Sequence, residues 1–178
     1  MYASFAQSVL SLKLKLSQPY KDPAPMVINT KFNHFFSCCV AVCEGTSNGL
    51  VARGDWKFRY ERYKELYTNC TYLLGNLEVV FLDNPGKTVD LSFLSTIRQV
   101  TGYVLIVAVH ADYVPLTSLQ IIRGKTLFYW EKSNDYYSLF VALNYDKNSN
   151  TIGLKELRFT SLQGKGFYYG LELLASPQ

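Results

Sequence analysis

The sequence predicts a β-solenoid, in which short units stack and add their strands to parallel sheets, preceded by a capping helix. A leucine-and-glycine phrase recurs: Leu-x-x-Ile-x-x-Val-x-Gly at 94–102 returns 22 residues later as Leu-x-x-Leu-x-x-Ile-x-Gly at 116–124. Each phrase passes through its glycine into a β-branched or aromatic run, at 103–107 and at 126–129, which is typical of short strands. Stacked units of this length would bury the repeated leucines as one ladder.

Two further segments extend the pattern. A phrase ending in Gly-Asn-Leu-Glu at 75–78 precedes the two aligned units, and a partial unit at 154–162 follows a strand predicted at 137–143. The alternative interpretation is an α/β layer protein, in which apolar strands alternate with amphipathic helices of similar length. The sequence offers too few helices for that architecture.

One helix is predicted before the repeats, at 56–67. Asp55 can cap its first turn, and aromatic residues recur along it at three- and four-residue spacing, namely Trp56, Tyr60, Tyr63 and Tyr67. A periodic aromatic face is more often core than ligand site. We therefore expect this helix to pack on the domain and to plug the open end of the solenoid, because terminal repeats need a cap.

Composition excludes several classes of protein. A chain of 178 residues with 48% hydrophobic residues can build one domain with a substantial core. The net charge of +4 is small and its lysines and arginines are scattered, which gives little support to nucleic-acid binding. No apolar run reaches the roughly 20 residues of a transmembrane helix. The sequence predicts no membrane span.

Motifs for catalysis are missing. The only histidines, His34 and His110, have no acid or nucleophile at motif spacing. The sequence contains no phosphate-binding P-loop, no nucleophile elbow and no zinc-protease motif. We expect no enzyme, no cofactor and no metal site in this chain, and favour a binding module.

The cysteines leave alternatives open. Cys43 and Cys70 flank the predicted helix and could form a disulfide, or could remain two buried thiols. Zinc is disfavoured because no C-x-x-C pair or nearby histidine completes four ligands. Asn69-Cys70-Thr71 is an N-glycosylation sequon, and it indicates the secretory route, although its middle residue is the candidate disulfide cysteine.

Residues 1–41 do not share the repeat pattern. The alternating run at 10–16 has strand period but ends in prolines, and the stretch at 35–42 is similar to a short signal-peptide core. We interpret 1–41 as an atypical leader; the alternative is a mispredicted or partial first segment.

Several phrases, in order and at close to the family spacing over 42–163, resemble the first L domain of the epidermal growth factor receptor family of receptor tyrosine kinases. They are Cys43-Glu44-Gly45-Thr46-Ser47-Asn48, Asn69-Cys70, Gly75-Asn76-Leu77-Glu78, Asp90-Leu91-Ser92-Phe93-Leu94, Gly102-Tyr103-Val104-Leu105-Ile106, Leu119-Gln120-Ile121-Ile122-Arg123-Gly124, Asn144-Tyr145 and Gly153-Leu154-Lys155-Glu156-Leu157. The resemblance implies a right-handed parallel β-helix with a capping helix. It also implies a disulfide between Cys43 and Cys70, and an extracellular, growth-factor-binding role.

The resemblance also implies a set of ligand contacts on an apolar sheet face. Alanines stand where the family has two larger aliphatic residues and one polar residue, so we expect a shallower pocket. The implied contacts are Leu50, Ala52, Phe81, Ala108, Glu131, Ala142 and Leu143.

The tail at 164–178 departs from the family, where a last repeat and a closing cysteine would follow. An uncapped end of this kind exposes backbone edges. Two functions are therefore expected. The first is the ligand-binding part of a receptor kinase, without cysteine-rich, transmembrane or kinase parts, whose partners are an EGF-like peptide and other chains of the receptor family. The second is a stand-alone secreted protein that modulates such signalling.

Overall fold

The computed structural model describes residues 40–83, 87–144, 154 and 156–163, together with the backbone of four strands outside these ranges. The helix α1 spans Trp56–Tyr67, and a 3₁₀ turn spans Ser92–Leu94. The strands, in chain order, are β1 (Ser8–Leu10), β2 (Leu12–Leu16), β3 (Val42–Glu44), β4 (Tyr72–Leu74), β5 (Leu77–Leu82), β6 (Gln99–Val100), β7 (Val104–Val109), β8 (Tyr113–Val114), β9 (Ile121–Ile122), β10 (Phe128–Trp130), β11 (Asp135–Tyr137), β12 (Leu139–Ala142), β13 (Glu156–Leu157), β14 (Phe167–Gly170) and β15 (Leu173–Ala175).

Most of the parallel strands lie in two sheets, and a third, two-stranded sheet pairs β8 parallel with β13. In the first, β3, β4, β6 and β9 follow one another and pair parallel throughout. In the second, β5, β7 and β12 pair parallel. Three units of sequence thus each add one short strand to the first sheet (β4, β6 and β9) and one longer strand to the second (β5, β7 and β12), whereas β3 adds a strand to the first sheet alone. Backbone groups of a unit are satisfied by the units before and after it rather than within the unit.

The register of the first sheet confirms the alignment of the repeats. Val100 lies opposite Ile122, the pairing expected from the 22-residue shift. The glycines that end each phrase are also stacked. The N–H of Gly102 donates to the carbonyl of Gly75 at 2.8 Å, and the N–H of Gly124 donates to the carbonyl of Gly102 at 3.1 Å. The repeated leucines and their partners are buried in one core, as predicted.

The second sheet corrects one prediction. Val104 pairs with Leu139 rather than with a residue of the run at 126–129, so this step is 35 residues long (from 104 to 139). The run predicted as a parallel strand instead forms β10, which pairs antiparallel with β11 across a four-residue turn at 131–134. A nearby partner closes a small loop at low entropic cost, which explains the hairpin. The parallel position is taken by β12, inside the strand predicted at 137–143.

The helix forms where it was predicted. A side-chain oxygen of Asp55 accepts from the N–H of Phe58 at 2.8 Å, capping the first turn. Tyr63 and Tyr67 are buried in the core, and Trp56 and Tyr60 pack against it. The aromatic face of α1 is therefore part of the core, as its periodicity indicated.

One edge of the second sheet differs from expectation. The alternating run near the N-terminus forms β2, which pairs antiparallel with β12 on one side and with β14 on the other. The sequence predicted an uncapped end with exposed backbone edges, but the edge of β12 is paired with β2. This pairing satisfies N–H and C=O groups that a bare strand edge would leave without partners. His34 and most of the stretch similar to a signal peptide lie outside the described residues.

Cys43 of β3 and Cys70, just after α1, are joined in a disulfide with a Cα–Cα distance of 5.8 Å. Cys70 is fully buried in the core. The pairing implied by the resemblance is confirmed, and the alternative of two free thiols is wrong.

Removing this disulfide will lower stability. The bond closes a loop with a sequence separation of 27 residues, so Cys43→Ala combined with Cys70→Ala is expected to cost about 3–4 kcal/mol through loop entropy. Urea denaturation of the oxidised protein and of the double variant measures the loss. Reductant should lower the midpoint of the parent protein and leave that of the variant unchanged; equal midpoints for both oxidised proteins would show that the bond contributes nothing.

Candidate functional site

The second sheet has two apolar faces. Side chains that alternate along β5, β7 and β12 enter the main core, and their neighbours form a second, separate cluster on the opposite face. We call this opposite side the outer face. Its strand residues are Val80, Leu105, Val107, Phe140 and Ala142. An apolar layer on the side away from the core is a feature of a sheet that is covered or that binds a partner.

A column of left-handed residues shapes the end of the outer face. Phe81, Ala108 and Leu143 have φ of 55°, 53° and 57°, and each directly follows one of the mutually paired residues Val80, Val107 and Ala142. A non-glycine residue in this conformation costs on the order of 1 kcal/mol. In β5 the irregularity keeps Val80 and Phe81 both on the outer face before Leu82 returns to the core; β7 repeats this pattern.

The hairpin covers another part of the outer face. Phe140 lies at its centre, with ring centroids 5.0 Å from Phe128, 5.1 Å from Trp130 and 5.4 Å from Tyr137, distances typical of favourable aromatic pairs. The insertion between β9 and β12 therefore supplies an aromatic cover. The column beyond it stays more open: Phe81 and Ala108 are half-buried and Leu143 is 41% exposed.

A buried carboxylate holds the loop that carries Leu50. Glu78 lies on β5 in register with Leu105 and is 1% exposed. Its oxygens accept from the N–H groups of Asn48 and Gly49, both at 2.8 Å, and from the hydroxyl of Tyr103 at 2.5 Å. Charge-assisted bonds of this kind fix geometry as well as charge. The loop is thereby tied down to the sheet, and Leu50 packs against the outer cluster.

Arg59 connects the same loop to the helix. Its guanidinium donates to the carbonyl of Gly54 in the loop and, at 2.6 Å, to the carbonyl of the left-handed residue Phe81. One side chain of α1 thus binds both the loop and the end of β5. Because a planar guanidinium has donors in fixed directions, it sets the distance between these two backbone segments.

Asn76 joins three segments at the corner between the sheets. Its Nδ2 donates to the carbonyl of Thr46 at 2.9 Å, and its Oδ1 accepts from the N–H of Tyr103 and the hydroxyl of Thr126. Gly102 lies so close that a Cβ there would overlap this oxygen. The glycine of the repeated phrase is therefore required by a side-chain contact from the preceding unit.

Four of the seven expected contact residues come together in the outer cluster: Leu50, Phe81, Ala108 and Ala142. Leu143 follows directly, at the exposed end of the column. Ala52 is exposed in the loop and Glu131 is exposed in the hairpin turn, so neither belongs to the cluster. The structure brings loop 45–55 and the three strands to one surface, which no stretch of sequence contains by itself.

Sequence reasoning missed the residues that support this surface. A glutamate inside the apolar strand 77–82 is an anomaly that could have indicated Glu78, because a buried carboxylate needs partners. Nothing in the sequence indicated Arg59 or the aromatic cover around Phe140. Within the described residues, no helix has the length and apolar character that a bilayer crossing needs.

The class of protein follows from comparison with known families. Residues 69–165 match the model of the family described as Receptor L domain. This is more than half of the chain, and the protein belongs to the receptor L domain family.

Its relatives are named as receptors. The chain is 40% identical over 126 residues to the mouse (Mus musculus) receptor tyrosine-protein kinase erbB-4, covering 71% of this chain and 9% of the relative. It is 39% identical over 132 residues to the Drosophila melanogaster epidermal growth factor receptor, covering 74% of this chain and 9% of the relative. The Gallus gallus epidermal growth factor receptor is 40% identical over 116 residues, or 65% of this chain and 15% of the relative. These matches confirm the resemblance; the chain spans a small part of each relative.

Glu78→Gln will loosen the Leu50 loop. The amide keeps the shape of the carboxylate but loses its charge and one acceptor, so we expect a loss of about 1–3 kcal/mol and faster hydrogen exchange in residues 47–54. Hydrogen-exchange mass spectrometry and urea denaturation measure both effects. Glu65→Gln, at an exposed pair with Arg62, is the matched control. Unchanged exchange in the loop would mean that Glu78 does not hold it.

Tyr103→Phe will reduce the loss of stability at alkaline pH. Burial first, and then the hydrogen bond and charge of Glu78, raise the pKa of the Tyr103 phenol above its ordinary value of 10.0. The folded state keeps this proton where the unfolded chain loses it, so the stabilisation is complete below about pH 10 and falls as the pH rises further. Urea titrations from about pH 9 to 12 should show a shallower fall for the variant, and an identical slope would contradict the assignment.

Proposed function

We propose that the outer face is the docking surface for an EGF-like growth-factor peptide. The observation that carries this proposal is the accessible margin of the outer cluster, where half-buried Leu50, Phe81 and Ala108 and exposed Leu143 lie beside the buried strand residues of the cluster. Membership of the receptor L domain family and the names of the relatives support the choice of ligand. Glu78 and Arg59 hold the surface in place before any ligand arrives, and such preorganisation favours binding.

The shape of the face suggests how a peptide would sit on it. Phe81 and Leu143, at the two ends of the left-handed column, are large, whereas Ala108 between them is small. A side chain of the ligand would enter the space above Ala108 and contact both larger residues, the arrangement of an apolar anchor in a shallow pocket. Ala52 and Glu131 would lie at the rim, where the charge of Glu131 would affect association rate more than affinity.

We further propose that the first and second sheets are faces of a right-handed β-helix, with α1 as its cap. The stacked glycines and the shared register of successive units support stacking, and burial of Tyr63 and Tyr67 supports the position of the helix. In this proposal the chain is the extracellular, ligand-binding part of a receptor tyrosine kinase. The peptide would be held between two L domains, so this domain alone loses the gain in effective concentration and binds weakly.

Titration with epidermal growth factor, followed by NMR of the isotopically labelled chain, tests this function. We expect a dissociation constant weaker than about 10⁻⁸ M, with amide shifts concentrated around Leu50, Phe81, Ala108 and Leu143. A tighter constant would contradict the two-domain model. Shifts confined to the first sheet would contradict the proposed face.

Phe81→Glu should weaken this binding about tenfold or more, because it places a charge in the apolar docking surface. Leu74→Glu is the control: Leu74 is likewise an apolar strand residue that reaches the surface, at 49% exposed, but it lies on β4 of the other sheet. We expect the control to bind like the parent protein. Equal losses in both variants, with folding verified by circular dichroism, would show a general effect on the domain rather than a contact.

A further inference from the structure

A second surface feature lies between α1 and the 3₁₀ turn. It is an open groove of about 280 Å³, lined by Tyr60, Lys64, Thr68, Asn69, Asp90, Ser92, Phe93, Ser95 and Thr96. None of these residues belongs to the outer cluster. Its volume is below the roughly 300–1,000 Å³ of pockets for drug-sized ligands, so the groove suits one small ring rather than a larger molecule.

One lining residue is the first residue of the sequon. Asn69-Cys70-Thr71 is the only Asn-x-Ser/Thr sequence in the chain. Asn69 follows the end of α1 in the left-handed conformation, with φ of 61°, which is a common way to end a helix. That role uses its backbone. Its side chain is exposed and lines the groove, so the amide remains available for another purpose.

The walls of the groove have the chemistry that sugars bind. The rings of Phe93 and Tyr60 meet edge to face at 6.0 Å, and the hydroxyl of Tyr60 donates to the carbonyl of Asp90 at 3.0 Å. The aromatic wall is thereby fixed, and an aromatic surface of this kind packs against the C–H side of a sugar ring. Hydroxyl groups of serine and threonine around it offer acceptors and donors for an acetamide group.

We propose that Asn69 carries an N-linked glycan whose first N-acetylglucosamine ring lies in this groove, against Phe93 and Tyr60. In the attachment step the amide nitrogen of Asn69 loses one proton and forms a C–N bond to the anomeric carbon of a lipid-linked oligosaccharide. The bond from that carbon to the lipid pyrophosphate breaks, and the pyrophosphate leaves with the electron pair. A transferase of the secretory pathway supplies the donor. Cys70 is buried and bonded to Cys43 in the folded protein, so attachment precedes closure of the disulfide.

The full chain, directed through the secretory pathway of cultured cells by an added cleavable signal, tests the attachment. Because the sequence holds one sequon, any mass lost on treatment with peptide N-glycosidase reports Asn69. We expect the loss in the parent protein and in Thr71→Ser, which keeps the sequon, and no loss in Thr71→Ala. An unglycosylated parent protein overturns the proposal.

The release rate under native conditions tests the position of the ring. A ring packed in the groove is shielded from the enzyme, so Phe93→Ala should speed release about fivefold, the size expected for one aromatic contact. Tyr113→Ala, at an exposed aromatic residue outside the groove, should leave the rate unchanged. Equal rates for the parent protein and Phe93→Ala overturn the placement, and circular dichroism confirms that both variants are folded. Growth-factor binding plays no part in either readout, so this proposal and the proposed function fail independently.

Discussion

The parallel register between successive units is the constraint on which the rest of the structure depends. A two-residue strand such as β6 cannot satisfy its own backbone, and its partners β4 and β9 lie one unit away in each direction. Any shift of one residue would turn core side chains outward. The glycine that ends each phrase serves this register, because Gly102 allows Asn76 of the preceding unit to reach Tyr103 and Thr126. The burial of the core side chains and the contacts of Asn76 therefore both depend on the parallel register between units.

The same stacking explains why the outer face is coherent. The strands β5, β7 and β12 are in register, so the left-handed backbone conformation of Phe81 recurs at the neighbouring positions Ala108 and Leu143. The three residues therefore lie side by side along one end of the sheet. The supporting contacts are long-range. Asn48 and Gly49 meet a carboxylate 30 and 29 residues further along the chain, and Arg59 of α1 reaches the carbonyl of Phe81. A rigid surface is thus assembled from segments that are individually short.

The sequence predicted features that depend on the spacing of nearby residues. It missed features that depend on which distant strand or side chain a residue contacts. Asp55 and the aromatic stripe were sufficient for α1, and the repeated phrase was sufficient for the pairing of Val100 with Ile122. The run at 126–129 has strand character, but strand character does not say whether the partner is a distant parallel strand or the adjacent β11. The alternation at 10–16 likewise indicated a strand and not its place beside β12. The resemblance named Leu50, Phe81, Ala108 and Ala142, which the structure brings into one cluster, and their contact with a ligand stays a prediction. The contacts of Glu78 required the folded chain. Handedness of the stack remains a prediction.

The hairpin insertion has a consequence for how such a domain can diversify. Between the two units that it separates, the first sheet advances by 22 residues (from 100 to 122) and the second by 35 (from 104 to 139). The additional length is accommodated entirely at one corner, without displacing a strand in either sheet. A change in the length or composition of this corner would therefore leave the strand pairing of both sheets in place. Evolution, or an engineer, could rebuild the aromatic cover, and with it the selectivity of the neighbouring surface, without having to redesign the core.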